Sequence, residues 1–119
     1  KRIFRDIEYE LHVDNFYAHV NKKAFKQILV NLISNASKYN KDSGYIKIYV
    51  DNGVLCIEDS GVGIENINEV FERSYKEHVS GHGLGLDIVK RLCEAMNIKI
   101  SLTSKVGEGS TFYLEFKKN

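Results

Sequence analysis

The sequence contains no proline, no tryptophan, one methionine and only two cysteines among its 119 residues. Cys56 and Cys93 stand far apart in apolar surroundings. We therefore expect buried reduced thiols, and neither a disulfide framework nor a zinc site. No apolar run approaches the roughly 18 residues that cross a bilayer, and the charged residues 1–10 do not resemble a secretory signal. The net charge of +1 disfavours a nucleic-acid-binding protein, because such proteins normally carry a basic excess.

The residues that are present are typical of a globular domain. Hydrophobic residues make up 43% of the chain and include six Phe and seven Tyr, enough to fill one core. The length is close to that of a single domain. We expect residues 1–119 to form one domain that is a fragment of a longer protein, with any membrane anchor outside this segment.

Hydrophobic periodicity predicts the elements of the first half. Alternation in period two over Ile7–Val13 predicts a half-buried strand with Ile7, Tyr9, Leu11 and Val13 on one face. Asn21 is a candidate N-cap for a helix over 22–39, whose apolar face comprises Phe25, Ile28, Leu29, Leu32, Ile33 and Ala36. A strand around 46–50 then meets Asp51-Asn52-Gly53, a strong hairpin signal, which predicts the partner strand Val54–Glu58.

The second half begins with a glycine-rich stretch. Residues 59–85 hold five of the nine glycines and show no clear period in their middle, which is typical of a functional or mobile loop. A second helix follows from about Leu84, with an apolar face of Ile88, Val89, Leu92, Ala95 and Met96. Alternating runs near 98–103 and 112–117 predict a second hairpin. Consecutive hairpins predict an α+β fold with a mixed or antiparallel sheet and helices on one face.

A polar line follows the edge of the first helix. Asn31, Asn35 and Lys38 fall within about 60° of each other at 100° per residue. An amide oxygen is a hard ligand suited to magnesium, and an ammonium suits a phosphate. The same pattern is also compatible with a solvated helix edge.

Asp59 directly follows a strand and precedes Gly61, Gly63 and Ile64. A carboxylate at a strand end is able to accept hydrogen bonds from a ligand amine, and glycines let the backbone approach a flat ring. An ordinary turn after a strand is the alternative.

Glycines also open the second helix, in the segment Gly81–Leu86. Free amides at a helix N-terminus favour phosphate, although a close helix–sheet contact also explains glycines here. The segment is neither the dinucleotide fingerprint nor a Walker P-loop. Together and in this order, the three motifs are the parts of one ATP site.

These motifs resemble the boxes of the sensor histidine kinase ATP-binding domain, a member of the GHKL superfamily. Asn31–Tyr39 is similar to its N box and Asp59–Gly63 to its G1 box. Val70–Arg73 is similar to its F box and Gly81–Leu86 to its G2 box, and Gly107–Phe112 resembles its closing segment. The match covers essentially the whole chain. It implies the Bergerat ATP-binding fold, a two-layer α/β sandwich with a mixed, mostly antiparallel sheet and helices on one face.

The resemblance implies ATP and Mg²⁺ as cofactors and assigns roles by position. Asn35 would ligate magnesium, with Asn31 nearby, and Asp59 would accept a hydrogen bond from the adenine amine. The residues implied in catalysis are Asn31, Asn35, Lys38 and Lys76. Those implied in ATP binding are Asn31, Asn35, Lys38, Tyr39, Asp59, Gly61, Gly63, Ile64, Tyr75, Lys76, Gly81, His82, Gly83, Leu84, Gly85, Leu86 and Thr111.

The implied reaction is transfer of the ATP γ-phosphoryl group to a histidine on a separate helical dimerisation domain of the same protein, in two-component signal transduction. That phosphoacceptor helix is absent, because no histidine here is followed by the family's acidic residue and proline. A response regulator would be an indirect partner. The resemblance also implies a cytoplasmic domain of a membrane sensor, which itself contacts neither nucleic acid nor membrane.

Several positions depart from the family pattern. Ser74, Lys76 and His82 replace Phe, Arg and a small hydroxyl residue, and the lid over about Ser74–Ser80 is short. These departures leave a non-catalytic nucleotide-binding or docking module open as an alternative. An anti-sigma serine kinase shares the boxes. An ATP hydrolase is disfavoured, because it needs a general-base Glu where Asn31 stands.

Overall fold

The structure is a computed structural model that describes residues 7–13, 20–41, 43–67, 70–71 and 86–116. The described residues form one five-stranded sheet and two helices. In chain order these are β1 (Glu8–His12), α1 (Lys22–Lys38), β2 (Tyr45–Asp51), β3 (Val54–Asp59), α2 (Leu86–Ala95), β4 (Ile98–Lys105) and β5 (Gly109–Phe116).

The sheet has the strand order β1-β2-β3-β5-β4. β1 runs parallel to β2, and the remaining neighbours are antiparallel. A parallel pair needs a long crossover connection, and α1 lies in that connection. The predicted mixed, mostly antiparallel sheet is confirmed.

The core lies between the sheet and the two helices, so the described part of the molecule has two layers. Strand residues alternate between the helix-facing side and the outer side of the sheet. The buried hydrophobic cluster comprises Ile28, Leu32, Ala36, Ile46, Leu55, Ile57, Val70, Leu86, Val89, Cys93, Ile98, Leu102, Phe112 and Leu114.

Local signals explain where α1 begins and how the β2–β3 hairpin turns. The Asn21 side chain accepts a hydrogen bond from the Ala24 amide at 2.9 Å, which confirms it as the N-cap. Asn52 and Gly53 have φ values of 53° and 78°. Both central residues of this turn are therefore left-handed, as a two-residue hairpin of this type requires. β3 ends one residue later than predicted, at Asp59.

Two apolar faces differ from the prediction. Tyr9 and Leu11 of β1 are 59% and 71% exposed, because β1 lies at the edge of the sheet, where Tyr9 lines an open groove beside α1. In α2, Ile88 is 38% exposed and Ala95 is also exposed, whereas Leu86 and Cys93 are buried. The buried stripe of α2 is narrow, so the broad face predicted from periodicity was wrong at its margin.

The outer side of the sheet carries a polar cluster. Glu58 accepts hydrogen bonds from the hydroxyls of Tyr45 at 2.6 Å and Tyr49 at 3.1 Å. The hydrogen bond to Glu58 raises the pKa of Tyr45 to about 12, and burial raises the pKa of Tyr49. Both phenols therefore stay neutral near pH 7.

Among the described residues, neither helix is long and apolar enough to cross a membrane.

Candidate functional site

A cavity of about 170 Å³ lies between α1 and the adjoining ends of β3 and β5. Ten residues line it: Asn35, Ala36, Tyr39, Asp59, Val62, Gly63, Ile64, Leu86, Ser110 and Phe112. Six of them were predicted from the sequence as nucleotide-binding: Asn35, Tyr39, Asp59, Gly63, Ile64 and Leu86. The fold thus brings together residues from the N box, the G1 box and the start of α2.

Asp59 is the buried acid of this cavity. It is the last residue of β3, is 8% exposed and pairs with Ser110 across the sheet. Burial raises its pKa, while hydrogen bonds from the backbone amides of Gly61 and Ser110 oppose the shift. The Gly61 amide lies 2.8 Å from Oδ1. These amides fix the orientation of the carboxyl group, so it is ready to accept a further donor from a ligand.

The loop after Asp59 packs tightly against the end of α1. The Val62 amide donates to the Tyr39 carbonyl at 3.1 Å. A Cβ built on Gly61 would lie 2.7 Å from the same carbonyl oxygen. A side chain at Gly61 would therefore push the loop away from α1.

The β4–β5 hairpin holds the other side of this loop. The Gly107 amide donates to the Val62 carbonyl at 2.8 Å, and the Ile64 amide donates to the Ser104 hydroxyl at 2.6 Å. Gly63 has φ +81°, and a Cβ there would lie 2.4 Å from the Lys105 carbonyl oxygen. The loop is held on both sides, which explains why glycine is needed at this position.

Two predicted residues of α1 lie outside the cavity lining. The Asn31 side-chain oxygen accepts a hydrogen bond from the Gln27 side-chain amide at 2.9 Å. Lys38 is exposed, and its ammonium lies 5.8 Å from the ring centroid of Tyr39. Of the predicted polar line, only Asn35 reaches the cavity.

Ser110, rather than the predicted Thr111, lies beside Asp59. Successive strand residues point to opposite sides of the sheet, and Ser110 lines the cavity while Thr111 does not. The role that the resemblance implies for Thr111 stays a prediction, and the cavity lining adds Ser110 as a candidate. A strict count of the β5 alternation backwards from Phe112 identifies Ser110 from the sequence.

Other predicted residues lie outside the described residues. These are Tyr75, Lys76, Gly81, His82, Gly83, Leu84 and Gly85, together with the predicted lid and the last two F-box residues. Of the F box, Val70 is buried and Phe71 packs edge-on against Phe112 with ring centroids 6.3 Å apart.

A larger, open groove of about 1060 Å³ runs along the other flank of α1. Its described lining is apolar and basic, with Tyr9, Leu29 and Ile33 beside three lysines, and contains no carboxylate. We assign the site to the smaller cavity, because it brings Asp59 and Asn35 together and is more enclosed than the groove.

Comparison with known proteins decides the family. Residues 20–119 match the family model described as histidine kinase-, DNA gyrase B-, and HSP90-like ATPase. The chain belongs to this family. The resemblance inferred from the sequence motifs, to a sensor histidine kinase ATP-binding domain, is confirmed.

Individual relatives of this ATPase domain are sensor kinases. Sensor protein SrrB of Staphylococcus aureus is 38% identical over 104 residues, which cover 77% of this chain and 18% of the relative. The chain thus spans about a fifth of the length of that relative. The mycobacterial sensor histidine kinase MprB is similar with 26% identity and a TM-score of 0.78, over 92% of this chain and 80% of that one.

Two further solved structures share the fold of this ATPase domain. The nucleotide-free catalytic domain of histidine kinase ThkA is 25% identical with a TM-score of 0.82, over 95% of this chain and 80% of that one. Full-length ShkA in complex with AMPPNP is 26% identical with a TM-score of 0.72, over 91% of this chain and 25% of that one.

Proposed function

We propose that this chain binds ATP with the adenine ring in the cavity at Asp59, and that it supplies the γ-phosphoryl group to a histidine on a separate helical domain. The observation that supports this most is the buried, backbone-held Asp59 at the floor of a small cavity. The related ShkA has been solved in complex with AMPPNP, which supports a nucleotide as the ligand of this domain.

The cavity suits one flat ring. Its volume of about 170 Å³ is below the range of roughly 300–1,000 Å³ that encloses a drug-sized ligand. A nucleotide would therefore place its base inside and its phosphates outside. Ile64, Leu86 and Phe112 provide apolar walls, and the Asp59 carboxylate would accept the exocyclic amine of adenine. Guanine carries a carbonyl at that position, which would oppose the carboxylate.

Asn35 is the residue that fits a magnesium ion. Its amide is a hard oxygen ligand at the edge of the cavity. Within the described residues, no three His, Cys, Asp or Glu side chains lie close enough together to hold a metal ion. The ion would therefore be shared between Asn35 and the phosphates. Bound there, Mg²⁺ would neutralise charge on the phosphates and orient them.

The residue at position 31 favours phosphoryl transfer over hydrolysis. Asn31 carries an amide, which takes no proton from water at neutral pH, and its oxygen accepts a bond from Gln27. Without a general base at this position, water is not activated. We propose that the acceptor is a histidine of the phosphoacceptor domain and that a response regulator receives the phosphoryl group afterwards.

The remaining parts of the proposal concern the parent protein. Residues 1–119 would be one ATP-binding domain of a longer cytoplasmic region attached to a membrane sensor. The 18% coverage of SrrB is consistent with a domain of a longer chain.

Calorimetric titration and a phosphotransfer assay test the proposal. We expect ATP·Mg²⁺ to bind and GTP to bind poorly, and a supplied phosphoacceptor domain to be labelled from γ-labelled ATP. Asp59→Ala should weaken ATP binding roughly 10- to 100-fold, as loss of a charged hydrogen bond predicts. Asp51→Ala, an exposed carboxylate at the end of β2, is the matched control and should bind normally. Equal affinity for ATP and GTP would contradict the adenine assignment, and binding without labelling would favour a non-catalytic module.

A further inference from the structure

Asn40 is a buried polar residue to which the sequence motifs assigned no role. It follows the C-cap of α1 and is 3% exposed. Burial of a carboxamide is costly unless its polar atoms are hydrogen-bonded. Its bonds therefore indicate what it holds together.

The Asn40 carboxamide connects three segments of the chain. Its Nδ2 donates to the Tyr45 carbonyl at the start of β2 at 2.9 Å, and its Oδ1 accepts from the Ser60 hydroxyl at 3.0 Å. Ser60 in turn accepts from the Tyr45 amide at 2.7 Å. The end of α1, the start of β2 and the residue after β3 thus form one closed hydrogen-bond network.

This network joins the two chain segments that carry the proposed nucleotide ligands. Asn35 is five residues before Asn40 on α1, and Asp59 is directly bonded to Ser60 along the chain. Both line the cavity. A backbone hydrogen bond from the Val62 amide to the Tyr39 carbonyl also joins the loop after Asp59 to the end of α1.

Gly44 shows how closely the network is packed. A Cβ at Gly44 would lie 2.2 Å from Asn40 Oδ1 and 2.7 Å from the Ser60 hydroxyl. The backbone therefore passes directly against the carboxamide, which leaves it little room to rotate or to admit water.

We propose that Asn40, through Ser60, is a positioning residue that fixes the separation between the magnesium-ligating and adenine-binding sides of the cavity. This inference rests on the proposed nucleotide function. The affinity of a ligand that contacts only the Asp59 side should depend little on this network. A ligand that spans both sides needs them at the correct distance, and a misplacement of about 1 Å can cost about 100-fold in rate.

Paired titrations with adenosine and with ATP·Mg²⁺ test the proposal. In Asn40→Ala, we expect adenosine affinity to stay within about twofold of wild type and ATP affinity to fall about tenfold or more, the change expected for loss of one buried bond. Ser60→Ala should act in the same direction. Tyr45→Phe is the matched control. It removes the hydrogen bond from the Tyr45 hydroxyl to Glu58 on the outer side of the sheet, and it leaves in place the Tyr45 backbone groups that bond to Asn40 and Ser60. It should leave the ratio of the two affinities unchanged.

If Asn40 had only a structural role, its loss would lower the affinities for adenosine and for ATP together, along with the folded fraction. That result would overturn the proposal. Unchanged affinities for both ligands would overturn it as well. If Asn40→Ala does not fold, Ser60→Ala, which leaves the carboxamide in place, decides the question. Hydrogen exchange without nucleotide supplies a separate readout: the Val62 amide should exchange faster in Asn40→Ala, while amides of α2 remain protected. Wild type that binds neither ligand would refute the proposed function, whereas unchanged Val62 exchange would refute the positioning role.

Discussion

Gly63→Ala tests whether close packing of the loop after Asp59 is what requires glycine there. Gly63 has φ +81°, and a new Cβ would lie 2.4 Å from the Lys105 carbonyl oxygen, where ordinary contact begins at 3.4 Å. The loop or the β4–β5 hairpin must therefore move by about 1 Å. That movement would also stretch the 2.8 Å bond from Gly107 to Val62.

The expected magnitude has two parts. An L-residue in the left-handed region costs roughly 1–2 kcal/mol, and overpacking adds typically about 1–3 kcal/mol. Gly53→Ala separates them, because Gly53 has φ +78° but nothing within 4 Å of its Cβ. We expect the free energy of unfolding to fall by about 1–2 kcal/mol in Gly53→Ala and by about 2–5 kcal/mol in Gly63→Ala.

Urea denaturation of both variants measures the difference, and calorimetry with ATP measures its effect on the site. Gly63→Ala should weaken nucleotide binding, whereas Gly53→Ala, at the tip of the β2–β3 hairpin, should not. Equal losses of stability in the two variants would refute the steric argument, since only the backbone term would then remain.

Three further predictions follow from burial and from the pKa shifts. Burial raises the Asp59 pKa above its ordinary value of 3.8, so the folded state binds the proton more tightly than the unfolded state does. The free energy of unfolding of wild type should therefore fall relative to that of Asp59→Asn as pH rises through the folded pKa. Urea denaturation at several pH values measures this, and a constant difference between the two proteins would contradict it. Cys56 and Cys93 are 2% and 0% exposed, and burial raises the pKa of Cys93 to about 11, so a thiol reagent at pH 8 should label neither until urea is added. Leu114→Ala, at a fully buried position, should lower the free energy of unfolding by about 2–5 kcal/mol. Val106→Ala, at a 63% exposed position, is the control and should lower it by less than about 0.5 kcal/mol. Similar losses in the two variants would show that Leu114 is not in a packed core.

Local signals predicted α1 and the first hairpin closely. The amide side chain of Asn21 and the apolar spacing of α1 are properties of neighbouring residues, and so is the tolerance of Asn52 and Gly53 for positive φ. The exposure of Tyr9 and Leu11 was not predictable in this way, since it depends on the position of β1 at the sheet edge.

The residues of the site also divide into those that local patterns predict and those that depend on the assembled fold. Asp59 and Asn35 were predicted from motif and spacing, and the fold places both in one cavity. Asn40 and Ser104 carried no motif, because their importance comes from bonds to residues 20 and 40 positions away in the chain. Such pairings depend on how β3, β4 and β5 come together, which hydrophobic patterning alone does not specify.

The pairing of Asp59 with Ser110 also has a kinetic consequence. The β2–β3 and β4–β5 hairpins join residues that are close in sequence, so each is able to form early. The β3–β5 pairing must close a loop of about fifty residues, and such non-local contacts are slow to form. The cavity is built across this late pairing, so a bound nucleotide should mainly lower the unfolding rate and leave the folding rate nearly unchanged.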